Sequence, residues 1–203
     1  MPATQQRYYS PEEYLTLEEA ADYKSEYIDG EIIPMAGGST NHNQIAGNFY
    51  IELGVAFKKL DYRVFMSDVR LWIPKLRIYT YPDVMLVAEK PEYYNNRKDT
   101  ITNPRIIIEV LSPSTKGYDK SDKFKGYRTI PTFQEYLLID QTQIYIEHFH
   151  KTNERRWDFR DYDESDEAIA LASVSFEISI SDIYNKVNFE QVDEETSSDL
   201  GEV

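Results

Sequence analysis

Two acids occupy positions where an acid is expensive. Glu109 interrupts the apolar run Ile106-Ile107-Ile108-Glu109-Val110-Leu111 in RIIIEVLSPST, which otherwise has the pattern of a strand buried on both faces. Asp83 follows Pro82 at the start of a second such run, in TYPDVMLVA. A buried carboxylate must be paired, hydrogen-bonded or metal-bound to stay ionised. Strand alternation groups Asp83 with Tyr81, Met85 and Val87, and Glu109 with Ile107 and Leu111. If the two strands are neighbours, the carboxylates converge and repel unless a proton or cation lies between them. A divalent cation held by carboxylate, water and phosphate oxygens is the economical answer, which describes Mg²⁺ with Mn²⁺ as its substitute.

Other candidates carry a chemical and a plainer reading side by side. Glu26 in EYIDGEII is either a third carboxylate of the site or an exposed hairpin acid. His42 in STNHNQIAG stands near the first turn of a helix, where it binds phosphate, ligates metal, moves a proton, or serves only in the capping region. Gly37-Gly38-Ser39-Thr40 before it offers backbone N–H groups to a phosphate or simply forms a loop and N-cap. Asp119 and Lys123 have the spacing of an ordinary ion pair on a solvated helix face. His148 and His150 share one side of a strand; without a third ligand nearby they read as an exposed strand face.

The elements that must position these residues follow from periodicity. Ser10-Pro11-Glu12-Glu13 is a capping box that predicts a helix over 11–23, and Asp29-Gly30 predicts a hairpin carrying Glu26 and Glu31. Ile45, Phe49, Leu53, Ala56, Phe57 and Leu60 predict an amphipathic helix over 40–60. Strands are expected at RVFMS, VRLWI, TYPDVMLVA, RIIIEVL, EYLLID, QIYIEHFH, RRWDFRDY and SVSFEISI, with a helix over 119–128 and a flexible surface loop over 89–104.

The chain has 203 residues, 41% of them hydrophobic, which suits one α/β domain over 1–189. Residues 190–203 hold six acids and no base and read as an acidic disordered tail. The net charge of -14 opposes tight nonspecific nucleic-acid binding, yet Arg97 to Arg128 carries eight bases against four acids, around Glu109. Zero cysteines exclude disulfides and thiolate chemistry and fit a cytoplasmic compartment. No apolar run is long enough for a membrane span or has the form of a signal peptide.

Pro82-Asp83 followed by Glu109 in IIIEVLSPST resembles the PD-(D/E)xK nuclease superfamily, and within it the bacterial family of restriction-endonuclease-like proteins. The resemblance also takes in Glu26, His42, Asp119-x-x-x-Lys123-x-x-x-Tyr127 and EYLLID, from about Ser10 to Asp140. It departs in one place: Leu111 fills the slot of the lysine expected two residues beyond the acid, and Lys123 on the following helix is the matching lysine. The resemblance implies a restriction-endonuclease-like α/β fold, a central mixed sheet of four or five strands flanked by helices, here with additional C-terminal strands. It further implies a homodimer that hydrolyses phosphodiesters of nucleic acid, most naturally DNA. Asp83 and Glu109 would hold Mg²⁺ or Mn²⁺, Lys123 would assist the attacking water, and Glu26 and His42 would support. The missing lysine and the acidic charge favour instead a weakly active or inactive dimeric binding module, and hydrolysis of a small phosphoester is a third reading.

Overall fold

The structure, a computed structural model, describes residues 7–112 and 116–189; the acidic tail 190–203 lies outside the described residues. Helix α1 (Pro11–Ala20) opens on the expected capping box, Ser10 Oγ accepting from Glu13 N at 3.1 Å and Glu13 Oε2 accepting from Ser10 N at 2.9 Å. It stops three residues short of Tyr23, because Glu18 turns forward to accept from Ser25 N (3.0 Å) and folds the chain into strand β1 (Ser25–Ile28). Strand β2 (Glu31–Pro34) pairs back on β1 through Asp29 (φ 39°) and Gly30 (φ 106°), the two left-handed residues of a type I′ turn. A Cβ on Gly30 would lie 2.2 Å from the Tyr8 ring.

Helix α2 (Thr40–Ala56) buries Ile45, Phe49 and Leu53, the expected face. It ends before Leu60, where Phe57 packs at a tilt against Tyr62 (4.5 Å between centroids) and the chain reverses into β3 (Tyr62–Met66). Strands β4 (Arg70–Ile73), β5 (Ile78–Thr80) and β6 (Val84–Ala88) follow. The TYPDVMLVA run is split at Pro82, which has no N–H to continue a ladder, so β5 and β6 fall in different sheets. After β7 (Thr100–Ile101) and β8 (Ile106–Leu111) come β9 (Glu135–Asp140), β10 (Tyr145–Asn153) and β11 (Arg156–Asp163). The central sheet has the order β11-β10-β9-β8-β6-β3 and is antiparallel except for the β8–β9 pair. It is therefore mixed, as expected, but six-stranded, and a second, five-stranded sheet of order β2-β1-β5-β4-β7 accompanies it.

The two faces of the central sheet are covered differently. Val84, Leu86, Ile106, Ile108, Val110, Leu137 and Ile139 pack under α2 and the C-terminal segment. Met85, Val87, Ile107, Leu111, Tyr136 and Leu138 pack against Leu71, Ile73 and Ile78 of the second sheet and against Tyr127, Ile130 and Phe133. Glu109 and Asp83 belong by parity to this second face. The helix expected over 119–128 starts earlier, at Lys116–Tyr118, passes through a π-helical turn at Asp119–Lys123 and returns to α geometry over Phe124–Tyr127. Gly126 lets it approach the second sheet, since a Cβ there would meet Ile73 Cδ1 at 3.3 Å.

Two expectations are overturned here. The 89–104 segment is not a free loop: Thr100 and Ile101 are fully buried as β7, paired parallel to β4, and the Asn103 side chain bonds Glu92 N (2.8 Å) and Lys90 O (3.0 Å). His148 is not on an exposed strand face. It is buried against Glu135 on β9, with Nε2 2.8 Å from Glu135 Oε1. Glu135 also accepts from Ala172 N (2.6 Å), Ser173 N (2.8 Å) and Ser173 Oγ, which pins the segment between β12 (Ala168–Ala170) and β13 (Glu177–Ser179) onto the sheet. Only Glu177–Ser179 of the SVSFEISI run is a strand; its last residue, Ile180, opens a short helix, Ile180–Ile183. Burial alone would raise the Glu135 pKa, but these donors outweigh it and hold the carboxyl below its usual range. Glu135→Ala strands four donors around one buried vacancy, so urea unfolding at pH 7 should show a loss of about 3 kcal/mol. A change under about 0.5 kcal/mol, the range of surface substitutions, would remove Glu135 from this role.

Candidate active site

Strands β6 and β8 are neighbours, and their register sets Val84 opposite Ile108. One residue further along the same ladder, Asp83 stands opposite Glu109. Asp83 N donates to Glu109 Oε2 (3.3 Å), and Val110 N donates to Asp83 Oδ2 (2.7 Å). The convergence expected from alternation is present, with Asp83 just ahead of β6, where Pro82 has released the chain, and Glu109 inside β8.

Each remaining layer sends one side chain to this point. Ser39 caps α2 by accepting from His42 N (3.0 Å), placing His42 in the first turn with Nε2 2.9 Å from Asp83 Oδ1. The second sheet supplies Glu26, buried on β1 and bonded by Thr80 Oγ1 at the end of β5. From the π-helical turn comes Lys123, whose Nζ is 3.0 Å from Asp119 Oδ1, 3.2 Å from Glu26 Oε1 and 3.4 Å from Glu109 Oε1. Tyr127 Oη donates to Glu109 Oε1 at 2.6 Å. The Asp119–Lys123 pair expected from spacing exists, but at 2% and 8% exposure it is not on a solvated face. The plain reading of Glu26 as an exposed hairpin acid fails in the same way.

All five candidate residues, Asp83, Glu109, Lys123, Glu26 and His42, thus lie in one continuous network. Asp119 and Tyr127 complete it; their signal was the four-residue spacing that lines Asp119, Lys123 and Tyr127 along one helix. Tyr118 adds a buried phenolic oxygen without a hydrogen-bond partner. Nothing in the sequence singles it out, because its neighbours come from three other elements.

The electrostatics show what the cluster lacks. Four carboxylates face one ammonium and one imidazole. Burial, with repulsion from Asp83 and Asp119, pushes the Glu109 carboxyl up to about 8 despite Lys123 and the Tyr127 hydrogen bond. Burial also works against the charged forms of His42 and Lys123, yet the surrounding carboxylates win and raise both pKa values. Burial and the neighbouring acids therefore work against the ionised form of Glu109.

A hard cation fits this deficit. The donors are carboxylate oxygens and one imidazole, and among the described residues no group of three or more His, Asp or Glu forms a preformed metal cage.

Comparison with known proteins places the chain in a family. The family described as "Uma2: Putative restriction endonuclease" matches residues 11–181. The chain belongs to this family. A solved structure titled as a putative nuclease belonging to DUF820, from Anabaena variabilis, superposes with a TM-score of 0.71 at 21% identity, covering 87% of this chain and 97% of that one. The fold is accordingly the restriction-endonuclease-like one. Two Synechocystis sp. relatives of this chain carry the name "uncharacterized protein": sll1609 is 50% identical over 145 residues, covering 71% of this chain and 82% of its own. The other, slr1290, is 37% identical over 186 residues, covering 89% and 93%. The family description makes the chain nuclease-like, and no described helix is long and apolar enough to cross a membrane.

The Glu109 shift sets a pH dependence. Between its ordinary value of 4.5 and about 8 the folded state holds a proton that the unfolded chain has released, so stability falls as pH rises through this window. His42, with its raised pKa, adds a loss of the same sign as pH rises past its own folded value. Urea midpoints measured in chelator at pH 5 and pH 8 should fall for the wild type and fall by less for Glu109→Gln. Equal slopes for the two proteins would mean that Glu109 is not the buried acid that titrates.

Proposed function

We propose that this protein is a cytoplasmic, divalent-metal-dependent endonuclease acting on DNA, built as one domain over 1–189. The observation that carries the reading is the Asp83–Glu109 pair, in which the buried carboxylate of Glu109 inside β8 abuts the half-buried carboxylate of Asp83 at the start of β6, in a cluster short of positive charge. These two residues would hold Mg²⁺ or Mn²⁺, which when bound supplies an activated water and neutralises charge on the scissile phosphate.

The protein's own groups have separate tasks. Tyr127 holds Glu109 Oε1 and leaves Oε2 beside Asp83. His42 orients Asp83 from the positive end of α2, and Asp83, against the opposing effect of burial, raises its pKa and favours the protonated ring. Lys123, kept as an ammonium by three carboxylates, contributes positive charge beside the reacting phosphate, and Glu26 and Asp119 fix its position. It takes the task of the lysine that Leu111 displaces from β8. Its removal would strand three buried carboxylates at a cost of about 3–5 kcal/mol, so Lys123→Met is a poor probe of chemistry. A homodimer is supported by Tyr50, Ile51 and Val55 of α2, exposed side by side; light scattering at micromolar concentration tests it, and a monomer there would discard it.

Asp83→Asn keeps the shape of the site and removes one charge. The wild type should cut DNA with Mg²⁺ or Mn²⁺ and not in chelator, and Mn²⁺ should raise its Tm. Asp83→Asn should cut at least about a thousandfold more slowly and lose the Mn²⁺-dependent Tm gain. Cleavage unaffected by chelator would overturn the metal assignment. Cleavage confined to RNA would move the substrate, and tight DNA binding without cleavage would favour the binding-module reading.

A further inference from the structure

An anionic phosphodiester entering a site of four carboxylates needs hydrogen-bond donors, and nearly all the described donors are committed. His42 Nε2 and Val110 N are spent on Asp83, Asp83 N and Tyr127 Oη on Glu109, and Thr80 Oγ1 on Glu26. Lys123 is shared among three carboxylates, and neighbouring Lys120 is held by Glu147 at 2.6 Å. The exception is Tyr118. Its phenolic oxygen is shielded from solvent and has no hydrogen-bond partner, although Glu26, Lys123, Asp119 and Glu109 are all within electrostatic reach. The ring lies under Lys123, with Nζ 5.6 Å from its centroid, so the phenol is fixed beside the ammonium. It also sits immediately before the π-helical turn, a distortion that recurs at functional sites.

A buried hydroxyl without a partner is a cost that folding does not recover by itself. Its neighbours include strong acceptors, and it bonds none of them. Burial and the surrounding carboxylates raise the Tyr118 pKa, which favours the protonated, donating form of the phenol.

We infer that Tyr118 is a substrate-binding catalytic residue whose hydroxyl donates to a non-bridging oxygen of the phosphodiester. The inference rests on the nuclease reading. The donor is in place before substrate arrives and does not have to leave a carboxylate to act, whereas Lys123 must give one up. It is therefore a preorganised contact, the kind that stabilises charge developing on the phosphate.

Tyr118→Phe tests this with two readouts. Because the hydroxyl bonds nothing in the free protein, the Tm without substrate should be unchanged or slightly higher. With Mn²⁺ and an oligonucleotide, kcat should fall by about 10- to 100-fold with the Mn²⁺ affinity intact. Tyr127→Phe is the contrast: its hydroxyl is spent on Glu109, so it should lower Tm and shift Mn²⁺ affinity. A Tyr118→Phe protein that cuts as fast as wild type overturns the inference, as does one whose free form loses several degrees of Tm, since the hydroxyl is then structural. If the wild type does not cut under any metal, the nuclease reading fails, and fluorescence anisotropy of a labelled DNA 12-mer in Ca²⁺ decides separately. Binding weakened about fivefold or more by Tyr118→Phe retains the phosphate contact; equal binding, or none by the wild type, discards it.

Discussion

Lys123 is the joint of this molecule. Its ammonium touches Glu26 from the second sheet, Glu109 from the central sheet and Asp119 from its own helical turn. A lysine so deeply buried is stable only because three carboxylates surround it, and those carboxylates tolerate one another only because the lysine is among them. The arrangement therefore locks two sheets and a helix in a single relative placement. Apolar packing of Leu71, Ile73 and Ile78 on Met85, Val87 and Ile107 supplies attraction between the layers, but such contacts slide more readily than a charge that must meet three partners.

The same molecule contains the opposite solution to a buried acid. Glu135 on β9 is completely buried, as Glu109 nearly is, yet its carboxyl is held low and that of Glu109 is driven high. The difference lies in the neighbours. Glu135 receives an imidazole, two backbone amides and a hydroxyl, each favouring the anion. Glu109 receives one phenol, one distant amide and a lysine shared with two other acids, against the repulsion of Asp83 and Asp119. A fold able to satisfy a buried carboxylate so fully at one strand leaves the adjacent strand's acid short of compensating charge.

Position explains why the shortage is tolerated. The Asp83–Glu109 pair sits where Pro82 interrupts the ladder and where the π-helical turn interrupts the helix, so both irregularities fall at one place. Regular elements elsewhere, above all α2 and the six-stranded sheet, carry the stability that this corner costs. The α2 N-terminus points its first turn at Asp83, so the helix that buries Ile45, Phe49 and Leu53 also orients the site.

Local pattern was enough for much of this. The capping box, the Asp29-Gly30 turn, the inward face of α2 and the strands β6, β8, β9, β10 and β11 are legible in sequence because each depends on neighbours within a few residues. The convergence of Asp83 and Glu109 was legible too, once alternation was combined with adjacency of the two strands. What sequence left open is everything decided by partners far along the chain. Whether Lys123 paired with Asp119 in water or with three acids in the interior depended on β1 and β8 arriving beside it. The burial of His148 depended on Glu135, and the ordering of 89–104 depended on β4 having a free edge. The lone hydroxyl of Tyr118 has no sequence signature at all. Periodicity and capping are short-range properties of the backbone, which the sequence determines by itself; charge burial is a sum over nonlocal neighbours, and only the tertiary structure decides it.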